Sequence, residues 1–455
     1  MASMDCNNKS KNDKDQSQQH REEYTEVSVP SILTSITTTF QSTDQVGEIT
    51  EDYENFISTS AVLHYCKNKI LRPYLRLLGV MGLRPISSDD HFLRCSILVN
   101  FHTVQVTIFM CIGYILQYMA CFRRDRGFCY KVVIVENSEE QSQTPFCYGN
   151  VIFSYLIPSI LHLVAYLYTI YLFRVKENEQ LQNLMERAFL LSSNPINRGN
   201  QKRLVHVLWL FIALSIVWMI MALITVNIQM AERNIIFQWM ENSPYQVKIT
   251  LKVLLIVCTL WHDMVQGTII ISYCLQGQLL MSHLYFLRGK LLQHILLPID
   301  WMRDIDEFKK LLKYFNDELG PAVCIYTIVN LSWATAGIVW LFQYYVNDGD
   351  NNPVTYVNVM NVVLWILISI APFIQAARLT NACSMIRAVG HEIRIRPFVY
   401  QTTPGEDLDS ILLYTSSLKM CARLFRIPIK GRYLCLLLTI SSISILTLGQ
   451  CQFFS

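Results

Sequence analysis

Long apolar blocks recur along this 455-residue chain, and they limit its fold more than any other feature. A helix needs about 20 predominantly apolar residues to cross the ~30 Å hydrocarbon core of a bilayer. Blocks of that length lie near residues 95–121, 151–173, 204–228, 251–273, 321–346, 357–380 and 432–451. Only 16% of the residues are charged, against about 25% in soluble domains. The sequence therefore predicts an all-α membrane protein with seven transmembrane helices, a multi-pass protein of the plasma membrane.

The distribution of lysine and arginine predicts the orientation. Positive residues prefer the cytoplasmic side of a membrane. The N-terminal segment and every second loop between the apolar blocks hold 30 Lys and Arg residues, whereas the intervening loops hold 6. The alternation is kept through all seven blocks. We therefore expect a cytoplasmic N-terminus and an extracellular C-terminus.

The sequence divides into a polar N-terminal segment and a transmembrane domain. Residues 1–60 are polar and carry 11 acidic against 4 basic residues. Such a segment buries too little apolar surface to offset its conformational entropy, so we expect a disordered cytoplasmic tail. Residues 61–455 then form the transmembrane domain. Its first part carries Leu71, Tyr74, Leu75 and Leu78 at helical spacing, which predicts an amphipathic helix leading into the first span.

Two predicted cytoplasmic helices have an apolar face at helical spacing. The first continues the fourth span through residues 274–320, and its apolar face consists of Ile305, Phe308, Leu312, Phe315 and Leu319. Gly320-Pro321 is predicted to end that helix and to begin the fifth span. The second covers residues 406–427, with an apolar face of Leu408, Ile411, Thr415, Leu418, Ala422 and Phe425. These faces pack on each other within one chain or form a subunit interface.

Three ionisable residues fall in the middle of predicted spans. His162 lies in the second block, and His262 and Asp263 lie in the fourth. Ionisable groups at membrane depth are costly and are candidates for function. One hypothesis is that His162 and Asp263 share a hydrogen bond beneath a polar ligand cavity. The alternative is a polar pair with a structural role only.

Aromatic residues are frequent in the outer halves of the spans. Trp and Tyr side chains anchor helices at membrane interfaces, and they can also line a pocket for a small organic ligand. Both interpretations remain open. The candidates for ligand contact are Tyr155, Trp218, Trp333, Trp340 and Tyr344.

Most of the fourteen cysteines lie inside apolar blocks, where a free cysteine behaves as a small hydrophobic residue. They show no C-x-x-C pair and no Cys/His spacing typical of a metal site. Cys129 and Cys147 fall in one predicted outer loop, an oxidising location, and are the candidate disulfide. We expect no metal and no cofactor.

The last apolar block is unusually polar for a membrane span. Ser444, Thr447, Gln450 and Gln452 alternate with aliphatic residues. A helix that lines a water-filled pore needs polar groups facing water and aliphatic residues able to close the gate. The alternative is ordinary helix packing through small residues.

Several classes of function fit poorly. A G-protein-coupled receptor has the opposite orientation and a cytoplasmic C-terminal tail, and the chain has neither D-R-Y nor N-P-x-x-Y. The apolar blocks show no internal repeat of the kind common in secondary transporters. No H-E-x-x-H motif or carboxylate cluster indicates an enzyme. A net charge of +3 is too small to indicate nucleic-acid binding.

These features together resemble the insect-type chemoreceptor family, on its gustatory receptor and gustatory receptor-like side. The topology carries the resemblance over about residues 65–454, and the specific part runs from Leu413-Tyr414-Thr415-Ser416-Ser417-Leu418 to Gln452-Phe453. Gustatory receptors commonly end with Thr-Tyr, five apolar residues and Gln-Phe. Ile445-Leu446 stands in place of Thr-Tyr when the chain is aligned on Gln452-Phe453, and Ile443-Ser444 does so when it is aligned on Gln450. Either alignment favours a divergent or receptor-like member.

The resemblance implies a ligand-gated, non-selective cation channel, a homo- or hetero-tetramer that responds to a small organic ligand. The last span of each subunit would line the pore. By position, the pore-lining candidates are Leu446, Thr447, Gln450, Gln452 and Phe453. The alternative function is a seven-span receptor or scaffold without its own pore, including a G-protein-coupled type.

Overall fold

The computed structural model describes residues 72–84, 95–125, 127–128, 130–135, 142–147, 151–176, 198–231, 235, 237–238, 240, 243–293, 297–348, 353–395 and 405–432. The tail predicted for residues 1–60 and the last apolar block beyond Arg432 lie outside these residues.

Nine α-helices make up most of the described chain. They are α1 (Arg72–Val80), α2 (Cys95–Met119), α3 (Ile157–Tyr171), α4 (Arg198–Ala231), α5 (Tyr245–Leu292), α6 (Pro298–Tyr314), α7 (Gly320–Asp348), α8 (Pro353–Ile395) and α9 (Gly405–Ser417). Turns of π-helix extend α3 at both ends, at Ile152–Leu156 and Leu172–Lys176, and a third, Phe315–Leu319, joins α6 to α7. At 1.5 Å per residue, α5 is about 72 Å long, more than twice the hydrocarbon core of a bilayer.

Three short antiparallel strand pairs accompany the helices. They are β1 (Phe122–Arg123) with β2 (Gly127–Phe128), β3 (Tyr130–Val135) with β4 (Ser142–Cys147), and β5 (Arg423–Leu424) with β6 (Ile427–Pro428). The first pair begins directly after α2. It places residues 120–125 and 127–128, here called the Arg124 loop, in contact with α5, α7 and α8.

Five helical segments in the described chain are long and apolar enough to cross a membrane. They are Ile152–Arg174, Leu204–Met230, Tyr245–Leu292, Pro298–Phe342 and Tyr356–Ile395, and they correspond to the second to sixth predicted spans. Helix α2 occupies the first predicted block, and the seventh lies outside the described residues. Seven spans and their orientation therefore stay predictions. Large apolar side chains are exposed on these helices, as contact with lipid requires, among them Ile160, Leu167, Leu214, Ile220 and Leu367.

The amphipathic helix predicted before the first span is α1. Its apolar face does not lie free on a surface, because Tyr74 and Leu78 are buried in the main core. The Tyr74 hydroxyl hydrogen bonds to Ser272 of α5. The turn after α1 is held in the same way, since the Tyr166 hydroxyl donates to the Met81 carbonyl over 3.0 Å.

The apolar face predicted for the helix before the fifth span is confirmed. Its five residues, Ile305, Phe308, Leu312, Phe315 and Leu319, are all buried in the main core. The predicted stop at Gly320-Pro321 is wrong. The chain passes from α6 through the π-helical turn into α7 without leaving the helix.

The helix predicted over residues 406–427 is too long. Helix α9 ends at Ser417, and Phe425 and Arg426 adopt positive φ angles of 54° and 60° in the turn between β5 and β6. Contacts with distant helices fix this extended segment. The Ala422 N–H donates to Thr380 Oγ1 over 3.1 Å, and the Arg423 N–H donates to Asn316 Oδ1 over 2.8 Å.

Helix α9 packs against α6 and α8. The Tyr414 hydroxyl bonds to Asp306 Oδ1 over 2.9 Å and to the Met302 carbonyl over 3.2 Å. Burial raises the pKa of Tyr414, so its hydroxyl keeps its proton at neutral pH and remains a donor. The predicted packing of the two amphipathic helices within one chain is therefore present.

Candidate functional site

An ion pair between Arg124 and Asp263 lies at the centre of the candidate site. Arg124 belongs to the turn between β1 and β2, and Asp263 lies in the middle of α5. Their side chains are only 5% and 3% exposed. The guanidinium also donates to the Thr259 carbonyl over 2.9 Å. A buried charge is tolerated only when it is paired and hydrogen bonded, and each partner meets this condition for the other.

Two tryptophans flank the guanidinium of Arg124. Its Cζ atom lies 5.6 Å from the ring centroid of Trp333 on α7 and 5.8 Å from that of Trp365 on α8. The two rings are 4.8 Å apart. Cations bind to the faces of aromatic rings, most strongly to tryptophan. Trp218 of α4 extends this cluster, because its ring lies 6.0 Å from Trp365.

The backbone of Arg124 is bound as well as its side chain. Its carbonyl accepts hydrogen bonds from Asn361 Nδ2 over 2.6 Å and from Trp365 Nε1 over 3.3 Å. Both donors lie on α8. The neighbouring Arg123 donates twice to the Asp125 carboxylate, over 3.0 and 2.9 Å. The Arg124 loop is therefore fixed between α5 and α8.

A second polar cluster adjoins the ion pair through His262. The Tyr114 ring stacks on the His262 ring at 4.3 Å, and its hydroxyl lies 2.7 Å from Nδ1 of His162. His262 Nε2 lies 3.0 Å from the Met110 carbonyl of α2. Gly113 permits this approach, because a Cβ atom there would lie 2.7 Å from His262 Cε1. The cluster therefore joins α2, α3 and α5.

The hypothesis that His162 and Asp263 share a hydrogen bond is wrong for this structure. Asp263 pairs with Arg124, whereas His162 pairs with Tyr114. The physical reason is charge: a buried carboxylate is stabilised far more by a guanidinium than by a neutral imidazole. Arg124 was overlooked because it counts as a loop residue in the sequence. The signal in the sequence is Asp263 itself, because a buried acidic residue in a span needs a cation nearby and a loop can supply one.

Three buried polar atoms near these clusters have no hydrogen-bond partner within the part of the chain that the structure describes: His162 Nε2, Gln266 Oε1 and Asn330 Nδ2. Gln266 Nε2 donates to Asn330 Oδ1 over 2.7 Å, which joins α5 to α7. The ring of Tyr326, one turn before Asn330, lies 4.9 Å from that of His162. Buried unsatisfied groups are rare and call for an explanation. A polar molecule bound between α3, α5 and α7 would supply the missing partners.

The other predicted ligand contacts are more scattered. Tyr155 packs edge-on against Tyr118 at 5.5 Å, and Trp340 is half-buried on α7. The side chain of Tyr344 lies outside the described residues, as do Leu446, Thr447, Gln450, Gln452 and Phe453. Trp218 donates from Nε1 to the Leu364 carbonyl over 3.1 Å. Of the predicted aromatics, Trp218 and Trp333 join the cluster around Arg124.

The disulfide of the described chain joins Cys121 to Cys147, with their Cα atoms 5.2 Å apart. The predicted pairing of Cys147 with Cys129 is therefore wrong. Cys121 was assigned to the first span, but α2 ends at Met119 and leaves Cys121 in the loop that follows. Cys129 itself lies outside the described residues. Among the residues that the structure places, no three His, Cys, Asp or Glu side chains come close enough to hold a metal ion.

The fold of the chain is similar to that of insect olfactory receptors of known structure. It is similar to the structure of the insect olfactory receptor OR5 from Machilis hrabei, with a TM-score of 0.53 over 84% of this chain and 99% of the receptor. It is also similar to the same receptor in complex with eugenol, with a TM-score of 0.56 over 88% and 99%. Sequence identities are 11% and 10%.

No protein-family model matches the sequence, and no curated protein matches it. The similarity is therefore one of fold. It confirms the predicted resemblance to the insect-type chemoreceptors at the level of the fold, and the long apolar helices support a multi-pass membrane protein.

Proposed function

We propose that the chain is a subunit of a chemosensory receptor that is itself a ligand-gated, non-selective cation channel. The observation that carries the proposal is the similarity of fold, which extends over 99% of an insect olfactory receptor.

The ligand is a small, uncharged organic molecule that binds beside the buried clusters. If Tyr114 donates to Nδ1 of His162, Nε2 carries the imidazole proton and is a donor. His162 and Asn330 then offer two donors and Gln266 offers one acceptor, next to the aromatic face of Tyr326. A hydroxyl group on a small apolar body satisfies this set, because it accepts two hydrogen bonds and donates one. One of the similar receptors holds eugenol, a small organic molecule.

The four-subunit arrangement and the pore follow from the resemblance. The last span, with Leu446, Thr447, Gln450, Gln452 and Phe453, would line a central pore in a tetramer. A ligand that prefers the open state would increase the open fraction. Cations would then cross the membrane down their gradient.

Two measurements test the proposal. Cells that express the full chain, exposed to a panel of small organic molecules, should show ligand-dependent cation currents. The solubilised protein should have four times the 52.8 kDa mass of one chain. A monomer without currents would support the alternative, a receptor or scaffold without its own pore.

A further inference from the structure

A groove on the surface of the bundle lies between α4, α5 and α8 and shares Trp218 with the cluster around Arg124. It has a volume of about 330 Å³. Apolar side chains from all three helices form most of its walls, among them Leu214, Ile270 and Leu367. Leu214 and Leu367 are exposed on candidate membrane spans. The groove therefore faces the lipid.

Among the described residues that line the groove, Arg378 alone is charged. It is the first charged residue of α8, since residues 353–377 contain no Asp, Glu, Lys or Arg. Its side chain is exposed and makes no hydrogen bond or ion pair with any residue whose position is described. An unpaired cation beside a lipid-facing apolar surface is costly. An anion from outside the chain is the partner that would offset this cost.

One turn before Arg378, Gln375 also lines the groove. Its side chain is only 2% exposed. Its Nε2 atom has no hydrogen-bond acceptor in the described chain. The amide packs closely on Gly277 of α5, where a Cβ atom would lie 2.9 Å from Gln375 Cγ. A buried amide that lacks an acceptor indicates a ligand that carries an oxygen atom at this depth.

The groove has a polar end and an apolar end. Arg378 and Gln375 form the polar end, and Trp218 lies at the other end. The Trp218 ring packs on Gly267, where an added Cβ atom would lie 3.5 Å from Trp218 Cζ3. Along α8, the lining residues extend from Leu367 to Arg378, which is roughly 16 Å at 1.5 Å per residue. This length is about half of the ~30 Å hydrocarbon core, the thickness of one leaflet.

We propose that this groove binds an anionic phospholipid. Its phosphate group pairs with the guanidinium of Arg378, because arginine binds phosphate through two parallel hydrogen bonds. An ester carbonyl, which lies just below the phosphate in such a lipid, accepts from Gln375 Nε2. One acyl chain then fills the apolar part of the groove toward Trp218. The proposal does not depend on channel activity.

The test uses the full-length protein in phosphatidylcholine vesicles that contain a phosphatidylserine analogue with a photoreactive acyl chain. After illumination, we expect labelled peptides from residues 211–218, 267–274 and 367–375. Arg378→Gln is expected to reduce labelling roughly tenfold, since a charge-assisted hydrogen bond is lost. Gln375→Leu is expected to reduce it several-fold, and Arg378→Lys to retain most of it.

Arg394→Gln is the matched control. Arg394 lies on the same helix, and its side chain is 66% exposed and 3.9 Å from Asp409. This variant should label like the unmodified protein. Equal labelling of Arg378→Gln and Arg394→Gln would overturn the proposal.

Two further experiments distinguish an anionic phospholipid from other molecules that could fill the groove. Equal labelling by a phosphatidylcholine analogue, or loss of labelling when inorganic phosphate is added, would contradict the binding of an anionic lipid. Absence of label from all three peptides would show that protein covers the groove, either the last span of this chain or a second copy, and would also overturn the proposal.

Discussion

Arg124 and Asp263 are 139 residues apart in the sequence and form an ion pair inside the helical bundle. Arg124→Gln should leave the Asp263 carboxylate buried without a counter-charge. Breaking a buried pair by removal of one partner costs about 3–5 kcal/mol. We expect a large loss of thermal stability, measured as the retained monodisperse fraction after heating in detergent.

The double variant Arg124→Gln with Asp263→Asn removes both charges and should recover much of the lost stability. Arg303→Gln is the control, since its side chain is 72% exposed and pairs with Asp300 at the surface. It should change stability by less than about 0.5 kcal/mol. If Arg124→Gln were as stable as Arg303→Gln, the ion pair would have no structural role.

The disulfide gives a second prediction. Cys121→Ser and Cys147→Ser should each lower stability by about 2–4 kcal/mol, because the bond closes a loop across 26 positions of sequence. The two changes together should cost no more than either alone. Cys129→Ser should leave stability unchanged. Mapping of non-reduced peptides would contradict the assignment if it found Cys147 joined to Cys129.

The packing of α9 on α8 depends on Gly390. A Cβ atom at that position would collide with Thr415 Oγ1 and would lie 3.1 Å from Leu412 Cα. Gly390→Ala should therefore displace α9 and lower the melting temperature. Gly289→Ala is the matched control, since nothing lies within 4 Å of a Cβ atom there. It should be neutral or stabilise α5 by up to about 1 kcal/mol. Equal melting temperatures would show that α9 does not pack as described.

The polar atoms proposed to bind the ligand give a fourth prediction. Asn330→Leu removes a donor and should raise the half-maximal concentration of an active ligand about tenfold, the effect of losing one buried hydrogen bond. Thr327→Val is the control, because Thr327 already donates to the Val323 carbonyl of its own helix over 2.7 Å. Similar dose–response curves for both variants, at equal surface expression, would place the ligand elsewhere.

The proposed pore is tested at its two glutamines. Gln450→Ala and Gln452→Ala replace the large polar side chains near the end of the last span. At least one of them should change single-channel conductance or the relative permeability of sodium and potassium. Currents that are unchanged in both variants would exclude this segment from the ion pathway.

The spacing of apolar residues and the length of apolar blocks predicted the buried helix faces and the spans well. Apolar spacing placed Ile305 and Phe308 in the core, and block length located five of the spans. The same spacing failed beyond Ser417, because Ala422 and Arg423 are held by Thr380 and Asn316 from distant helices. Helical periodicity carries no information about such long-range contacts.

The candidate site could be predicted only in part. The cost of burying a charge identified Asp263, and the abundance of tryptophan in the spans identified Trp333. Their common partner, Arg124, was missed because counting loop charges assigns a residue to one side of the membrane and cannot show that its side chain returns into the bundle. Cys121 was missed for a related reason, since the end of α2 was placed two residues too late.

Arg124 binds α5 through its guanidinium and α8 through its carbonyl oxygen. A short connecting segment thereby links two long helices. Sliding of α5 past α8 would separate Asp263 from its counter-ion or break the hydrogen bonds to the Arg124 carbonyl, so this segment opposes relative movement of the two helices. In the proposed channel, a gating motion that displaced α5 relative to α8 would have to break these contacts.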